Sequence, residues 1–260
     1  VSPDPDPPPF RILIPARYGA TRLPGKPLRE LAGRPLILHV LDRARASGAR
    51  EAVVATDDER IRAVVEAAGG RVCMTAAGHR SGSDRLAEAV TRLGWGSGEL
   101  VVNLQGDEPL MPPELLRLVA ADLAAHPDAR LATVAVPLAG TAARLDPNVV
   151  KVVTDRDGYA LYFSRAPIPW PRDAAKSDTV PPGPGGGLHH LGLYAYRAGT
   201  LRWMAALEPA PAERIEALEQ LRVLWHGGRI HVAVAERAPP GGVDTEADLE
   251  RVAAIFARTR

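Results

Sequence analysis

Short apolar runs alternate with longer amphipathic stretches along most of the chain. Arg11–Ile14, Glu51–Ala55, Val72–Met74, Leu100–Leu104 and Ala132–Pro137 are each too short for a helix and rich in β-branched residues, which predicts buried strands. Between them apolar residues recur with helical spacing. Pro35 and Gly48 bracket a helix carrying Leu36, Ile37, Val40 and Leu41, with His39 as a structural residue. Thr56-Asp57-Asp58 supplies acceptors to cap a helix with Ile61, Val64 and Val65, which Gly69-Gly70 ends. A third helix, with Leu86, Val90 and Leu93 on one face, opens at Gly78–Arg85, where Ser83 is expected as the cap. Alternation of this kind predicts an α/β fold: a Rossmann-like, parallel, doubly wound sheet flanked by helices.

The pattern changes in the second half. Pro147–Val153 and Tyr159–Ser164 both alternate like strands, and Asp155-Arg156-Asp157-Gly158 between them favours a tight hairpin. Two strands without an intervening helix imply either a second lobe or an antiparallel extension. The stretch 173–187 is rich in Pro, Gly and Ser and is expected to be a mobile loop, after which His189–Tyr196 resumes strand character. Neighbouring residues of a strand face opposite ways, so His189 and His190 are poorly placed to grip one ion. One helix is expected from about Pro211 to His226, with Glu213 solvated and Glu216 and Gln220 sharing a face four residues apart. Ile230–Ala235 reads as the last strand, and Thr245 and Asp248 are spaced as a capping box for the final helix. The organisation expected is a proline-rich lead-in over 1–9 and one domain over 10–260, with a β-rich lobe at about 147–226.

Composition narrows the class of function. A chain of 260 residues can bury a substantial core, and a net charge of +1 lacks the basic excess of a nucleic-acid reader. No apolar run approaches the roughly 18 residues that span a membrane. The acidic, proline-rich opening has neither the basic start nor the apolar centre of a signal peptide. The single Cys73 excludes an intramolecular disulfide, fits a reducing compartment and sits in an apolar strand as a core residue. A cytoplasmic protein is expected.

Candidate chemistry gathers at two strand ends. The loop after the first strand carries Arg17, Arg22 and Lys26 and no carboxylate, and Pro15, Gly19, Pro24, Gly25 and Pro27 keep it from being helical for long. It is not a P-loop: five residues separate Gly19 from Gly25, and Pro27 stands where a Ser or Thr would hold the metal. A basic surface loop without function is the plain alternative. Against it, only three of the 32 cationic residues are lysines (Lys26, Lys151 and Lys176), so Lys26 looks specific to its position. Asp107, in Gln105-Gly106-Asp107-Glu108-Pro109, ends the fourth strand on the same edge of the sheet. A carboxylate there repels a polyphosphate unless a hard divalent cation lies between them, which argues for Mg²⁺. A turn or helix-entry aspartate is the plain reading. Ser81-Gly82-Ser83 is either an ordinary helix start or a turn whose backbone reads a planar base edge.

The loop Arg11–Pro27, together with Gly78–Arg85, Gln105–Pro109, His190, Leu218–Arg222 and Gly242–Asp248 in that order, resembles the CMP-Kdo synthetases (3-deoxy-manno-octulosonate cytidylyltransferases) from about Phe10 to Val252. The resemblance implies transfer of CMP from CTP to the anomeric hydroxyl of Kdo, giving CMP-Kdo and pyrophosphate for lipopolysaccharide synthesis, with no side-chain nucleophile. It implies a homodimer joined through the hairpin region, with CTP and Kdo as partners and neither nucleic acid nor membrane. It further implies that Asp107 and Asp244 bind Mg²⁺, and that Arg22 and Lys26 act with them in catalysis. CTP would meet Ala16, Arg17, Arg22, Lys26, Ser81, Gly82, Ser83, Gln105 and Asp107; Kdo would meet Gln105, Arg165, His190, Tyr194, Glu216 and Gln220. Asp84 stands where the family has Glu, and His189 where it has Arg. Two rivals stay open: a related nucleotidyltransferase for an amino-Kdo, a sialic-type acid or a hexose 1-phosphate, and a non-catalytic nucleotide-binding dimer.

Overall fold

The computed structural model describes residues 8–19, 23–79, 81–172 and 187–258. Strand β1 (Phe10–Ala16) is buried on both faces and forms the centre of the sheet. It pairs in parallel with β4 (Glu51–Thr56) on one side and β6 (Leu100–Asn103) on the other. The short pair β2 (Glu30–Leu31) and β3 (Arg34–Pro35) lies apart from this sheet. Beyond β4 comes β5 (Arg71–Met74), with Cys73 buried in the core as expected. The chain crosses from β5 back over β1 to β6, so the connections at the carboxyl ends of β1 and β6 diverge and open a crevice.

The sheet is mixed rather than parallel throughout. β7 (Ala129–Pro137) and β11 (Arg229–Val234) are parallel to each other, but β10 (Leu188–Arg197) is inserted antiparallel between β6 and β7. Its register slips between His190 and Tyr194, where Gly192 takes φ +68°. That bulge bends β10 so that its first residues also pair with β8 (Lys151–Thr154), which pairs in turn with β9 (Ala160–Ser164). The hairpin expected at Asp155–Gly158 is therefore an antiparallel extension of the main sheet.

Helices cover both faces. Ile12 and Ile14 pack beneath α1 (Leu36–Ala46), α2 (Glu59–Ala67), α4 (Pro113–Ala125) and α9 (Glu246–Arg258). Leu13 packs on the other side with α3 (Gly82–Arg92), α6 (Ala198–Ala205) and α8 (Gln220–Trp225). A short helix, α5 (Gly140–Leu145), follows β7. Asp58 caps α2 by accepting from the Arg60 and Ile61 amides. Thr245 and Asp248 form the expected capping box at α9. His39 is buried, with Nε2 2.7 Å from the Leu31 carbonyl oxygen. Among the described residues no helix is long and apolar enough to cross a membrane.

Two local expectations are corrected. Ser81, not Ser83, caps α3, its Oγ accepting from the Asp84 amide at 3.1 Å. The helix expected over Pro211–His226 is two helices, α7 (Pro211–Glu216) and α8, because Ala217 turns left-handed at φ +51°. Glu216 and Gln220 thus sit on opposite sides of a break, which removes their shared face. Glu213 is not solvated: it is buried and bonds Arg222 through both oxygens at 2.6 and 3.0 Å. Ile215 and Trp225, at 85% and 63% exposure, are left on the surface.

Candidate active site

The crevice between β1 and β6 holds two adjoining clefts of about 320 and 550 Å³ that share Gly82, Gln105 and Glu219. Lys26 enters the first from a 3₁₀ turn, Lys26–Leu28, that follows Gly25 at φ +67°. Glycine suits this position because L side chains rarely adopt that φ, and a Cβ would also sit tightly, 3.1 Å from the Tyr18 ring. The Lys26 ammonium donates to Asp107 Oδ2 at 2.7 Å and to Asp244 Oδ1 at 3.0 Å, joining three residues separated by 81 and 218 positions. Burial disfavours its charge, but Asp107 and then Asp244 outweigh that penalty, so its pKa is raised.

Close backbone approaches make this convergence possible. A Cβ on Gly106 would lie 2.7 Å from the Pro15 carbonyl oxygen, so only glycine lets the loop after β6 press onto the end of β1. A Cβ on Gly242 would lie 2.7 Å from Glu108 Oε1 and 2.8 Å from the Asp107 carbonyl oxygen. The Val243 amide donates to that same carbonyl at 2.9 Å, which stitches the segment carrying Asp244 to the one carrying Asp107.

Of the residues expected at CTP, Ala16, Arg17, Lys26, Ser81, Gly82, Gln105 and Asp107 line the first cleft, and Asp244 joins them. Ser83 lines the second cleft instead, its side chain hydrogen-bonded to the Tyr196 phenol. Arg22 and most of the 173–187 loop lie outside the described residues. Gln105, His190, Tyr194 and Gln220, four of the six residues expected at Kdo, line the second cleft. Arg165 and Glu216 line neither. Glu216 accepts from the Ser164 hydroxyl at 2.6 Å and the Arg165 amide at 2.9 Å, and Arg165 Nε donates to the Glu216 carbonyl at 2.7 Å. Each is occupied in clamping the end of β9 to α7.

Three residues that line the second cleft each bury a polar atom with no partner among the described residues: Asn103 Oδ1, Glu108 Oε2 and Gln220 Nε2. A buried polar atom without a partner costs about 1–3 kcal/mol. Thr133 donates its one hydroxyl proton to the Leu193 carbonyl at 2.7 Å, so its oxygen accepts from His190 Nε2 at 2.9 Å. His190 is kept neutral, its pKa brought down to about 3 by burial and then by His189, which leaves Nδ1 as an acceptor.

Sequence reasoning passed over Glu219, which lines both clefts, Arg85, bonded to Asp57 at 2.9 Å beneath the first, and Glu108. Asp57 follows the carboxyl end of β4, and that topological position was the available signal. Burial, then the charges of Asp107 and Asp244, push the Glu108 carboxyl up to about 8. A carboxyl that holds its proton more tightly when folded contributes stability below its ordinary value of 4.5 and loses it as pH rises toward 8. Glu108→Gln is therefore expected to flatten the loss of thermal stability between about pH 5 and about pH 8. Parallel melting curves for the two proteins would contradict this.

Comparison with known proteins agrees with this architecture. The family profile described as "Cytidylyltransferase" matches residues 11–230. The 3-deoxy-manno-octulosonate cytidylyltransferase of Nitrosococcus oceani is 57% identical over 245 residues, covering 94% of this chain and 95% of that protein. The protein of the same name from Halorhodospira halophila is 55% identical over 97% of this chain and 99% of its own. The solved structure of a CMP:2-keto-3-deoxy-manno-octonic acid synthetase complexed with CTP superposes with a TM-score of 0.88 at 40% identity, covering 97% of this chain and all of that one. With a matching profile over most of its length and relatives alike from end to end, the chain belongs to the cytidylyltransferase family and, within it, to the 3-deoxy-manno-octulosonate cytidylyltransferases.

Proposed function

We propose that this chain transfers CMP from CTP to the anomeric hydroxyl of 3-deoxy-D-manno-octulosonate, releasing pyrophosphate and supplying CMP-Kdo for lipopolysaccharide synthesis. The observation that carries the reading is the meeting of Asp107 and Asp244 on one cationic nitrogen, at the mouth of a cleft that opens into a second, polar one. The names and the bound nucleotide of the relatives point the same way.

The two carboxylates fit Mg²⁺: the donors are all oxygen, and the pair already draws one cation to the spot. Mg²⁺ held by Asp107 and Asp244 would supply Lewis-acid stabilisation of phosphate charge and ease deprotonation of the attacking hydroxyl. Lys26 and Arg17 neutralise the triphosphate, and Arg22 has the same role on sequence grounds. Ser81 and Gly82 present the start of α3, where backbone N–H groups are unpaired within the helix and suit an acceptor-rich ligand. Gln105 and Gln220 offer amides, and His190 Nδ1 an acceptor, to sugar hydroxyls. Tyr194, its phenol pKa raised by burial and by Tyr196, stays protonated and donates. The anomeric oxygen attacks the α-phosphorus as the bond to the leaving pyrophosphate breaks, and no side-chain nucleophile takes part. Such chemistry rests on positioning and charge.

Incubation with CTP, Mg²⁺ and Kdo is expected to yield CMP-Kdo by mass and equimolar pyrophosphate, with little of either when Mg²⁺ is omitted. An amino-Kdo, a sialic-type acid and a hexose 1-phosphate serve as rival acceptors; faster turnover of any of them would overturn the sugar assignment. CTP binding without turnover of any acceptor would make the protein a non-catalytic nucleotide-binding dimer. Leu161 and Tyr162 stay exposed on β9, and Ile215 on α7 adds to the uncovered apolar surface, which supports a homodimer. Sedimentation at micromolar concentration is expected to give twice the chain mass. One cysteine, and substrates that belong with nucleotide metabolism, support a cytoplasmic location.

A further inference from the structure

His79 stands in the loop that joins β5 to α3 and lines the first cleft with Ser81 and Gly82. It also borders a third hollow, of about 570 Å³, whose wall includes Glu88 and Arg92. Neither of those two residues lines the first cleft. His79 thus forms a partition between the cleft and another part of the surface.

Glu88 fixes the orientation of this histidine. Its Oε2 meets His79 Nε2 and accepts from the Ala76 amide at 2.9 Å, while its Oε1 accepts from Arg92 Nε at 2.6 Å. Burial works against the charge on Glu88, but the Ala76 amide, then His79 and Arg92, outweigh it, so its pKa is lowered. An ionised carboxylate only accepts, so His79 Nε2 must donate. A neutral imidazole has one N–H to give, which leaves a lone pair on Nδ1. Among the described residues no group bonds that nitrogen, and the side chain keeps 18% exposure. The two nitrogens of one ring point in widely different directions. With Nε2 aimed at Glu88, on the wall of the third hollow, Nδ1 is turned toward the first cleft. Nearby side chains are committed elsewhere. Arg85 only donates, to Asp57 at 2.9 Å and to Thr75. Ser81 Oγ takes the Asp84 amide, and Glu219 sets its charge beside the phenols of Tyr194 and Tyr196 in the second cleft.

We infer that His79 Nδ1 accepts a hydrogen bond from the exocyclic amino group of the cytosine ring, and that Glu88 positions it by holding Nε2–H. The inference rests on the reading of this cleft as the CTP site. Uracil carries a carbonyl oxygen where cytosine carries that amino group. With UTP two acceptors would face each other, so His79 selects the base rather than the triphosphate.

The test titrates the full chain with CTP and with UTP by calorimetry, without sugar, and compares the two dissociation constants. His79→Gln keeps a donor in the place of Nε2 and loses the Nδ1 acceptor, whereas His79→Asn keeps an acceptor in the place of Nδ1. His79→Gln is expected to lower the preference for CTP over UTP by at least about 10-fold, by weakening CTP and not UTP. His79→Asn is expected to retain more of that preference than His79→Gln. Glu88→Ala frees the ring and is expected to raise the KM for CTP with kcat little changed. An unchanged preference in His79→Gln overturns the inference. An equal fall in affinity for both nucleotides also overturns it, by making His79 a structural residue. Should His79→Gln not fold, the same ratio in Glu88→Ala decides. A protein that prefers CTP through His79 but transfers nothing to Kdo keeps this inference and overturns the proposed function. CMP transfer with an unchanged preference in His79→Gln does the reverse, and binding of neither nucleotide overturns both.

Discussion

Asp107→Asn and Asp244→Asn are each expected to lower CTP-dependent pyrophosphate release by at least about 100-fold, while the melting temperature moves little. The size follows from the site. Removing one preorganised charge contact that matters most in the transition state typically costs about 2.7–4 kcal/mol, and neither carboxylate can be replaced by its neighbour. Glu108 is adjacent to Asp107 but holds its proton to about 8, with Oε1 pinned against Gly242, so it is a poor substitute. The fold survives because Lys26 keeps one carboxylate partner in either variant and stays partly solvated. An amide is isosteric and still accepts from the ammonium, so the loop geometry is retained. Added Mg²⁺ is expected to rescue neither variant at concentrations that saturate the parent protein. Near-normal pyrophosphate release by Asp107→Asn or Asp244→Asn would remove the metal from the mechanism.

What could be read beforehand depended on how local the determining physics was. β1 was legible because a strand buried on both faces leaves an uninterrupted apolar run. Lys26 and Asp107 were legible because strand ends on one edge of an α/β sheet must meet. Asp244 was found only through the family resemblance, since nothing near it in the chain distinguishes it from a turn residue. The antiparallel insertion of β10 was hidden, because its alternation says nothing about which neighbours it pairs with. The break at Ala217 was hidden too. A left-handed turn is usually marked by glycine, and here an alanine accepts a strain of about 1 kcal/mol. Ser81 and Ser83 are both competent caps, and a two-residue difference in helix start lies beyond what pattern alone resolves. The burial of Glu213 was hidden because its partner lies across that break, and the bonds that join Glu216 to Arg165 run between elements that spacing does not connect.

Glu213→Ala is expected to destabilise the fold by about 3–5 kcal/mol, the usual cost of leaving the other half of a buried ion pair unpaired. Glu213 and Arg222 are both nearly shielded from solvent and are joined by two hydrogen bonds at 2.6 and 3.0 Å. Glu213 Oε2 also accepts from the Ala210 amide at 3.0 Å, so the same carboxylate starts α7 and ties it to α8. Arg222 Nη1 donates to the Met204 carbonyl at 3.2 Å, which holds the pair against α6. Glu213 sets the angle at which Glu219 and Gln220 reach the clefts, so the variant is expected to raise the apparent KM for the acid sugar more than that for CTP. Replacing both partners, as in Glu213→Leu with Arg222→Met, removes the stranded charge and is expected to recover most of the lost stability. Denaturant unfolding of the two single variants and the double variant closes the cycle and isolates the pair's coupling. A cost below about 1 kcal/mol for Glu213→Ala, or a double variant as unstable as the single ones summed, would mean that the pair is not what joins the two helices.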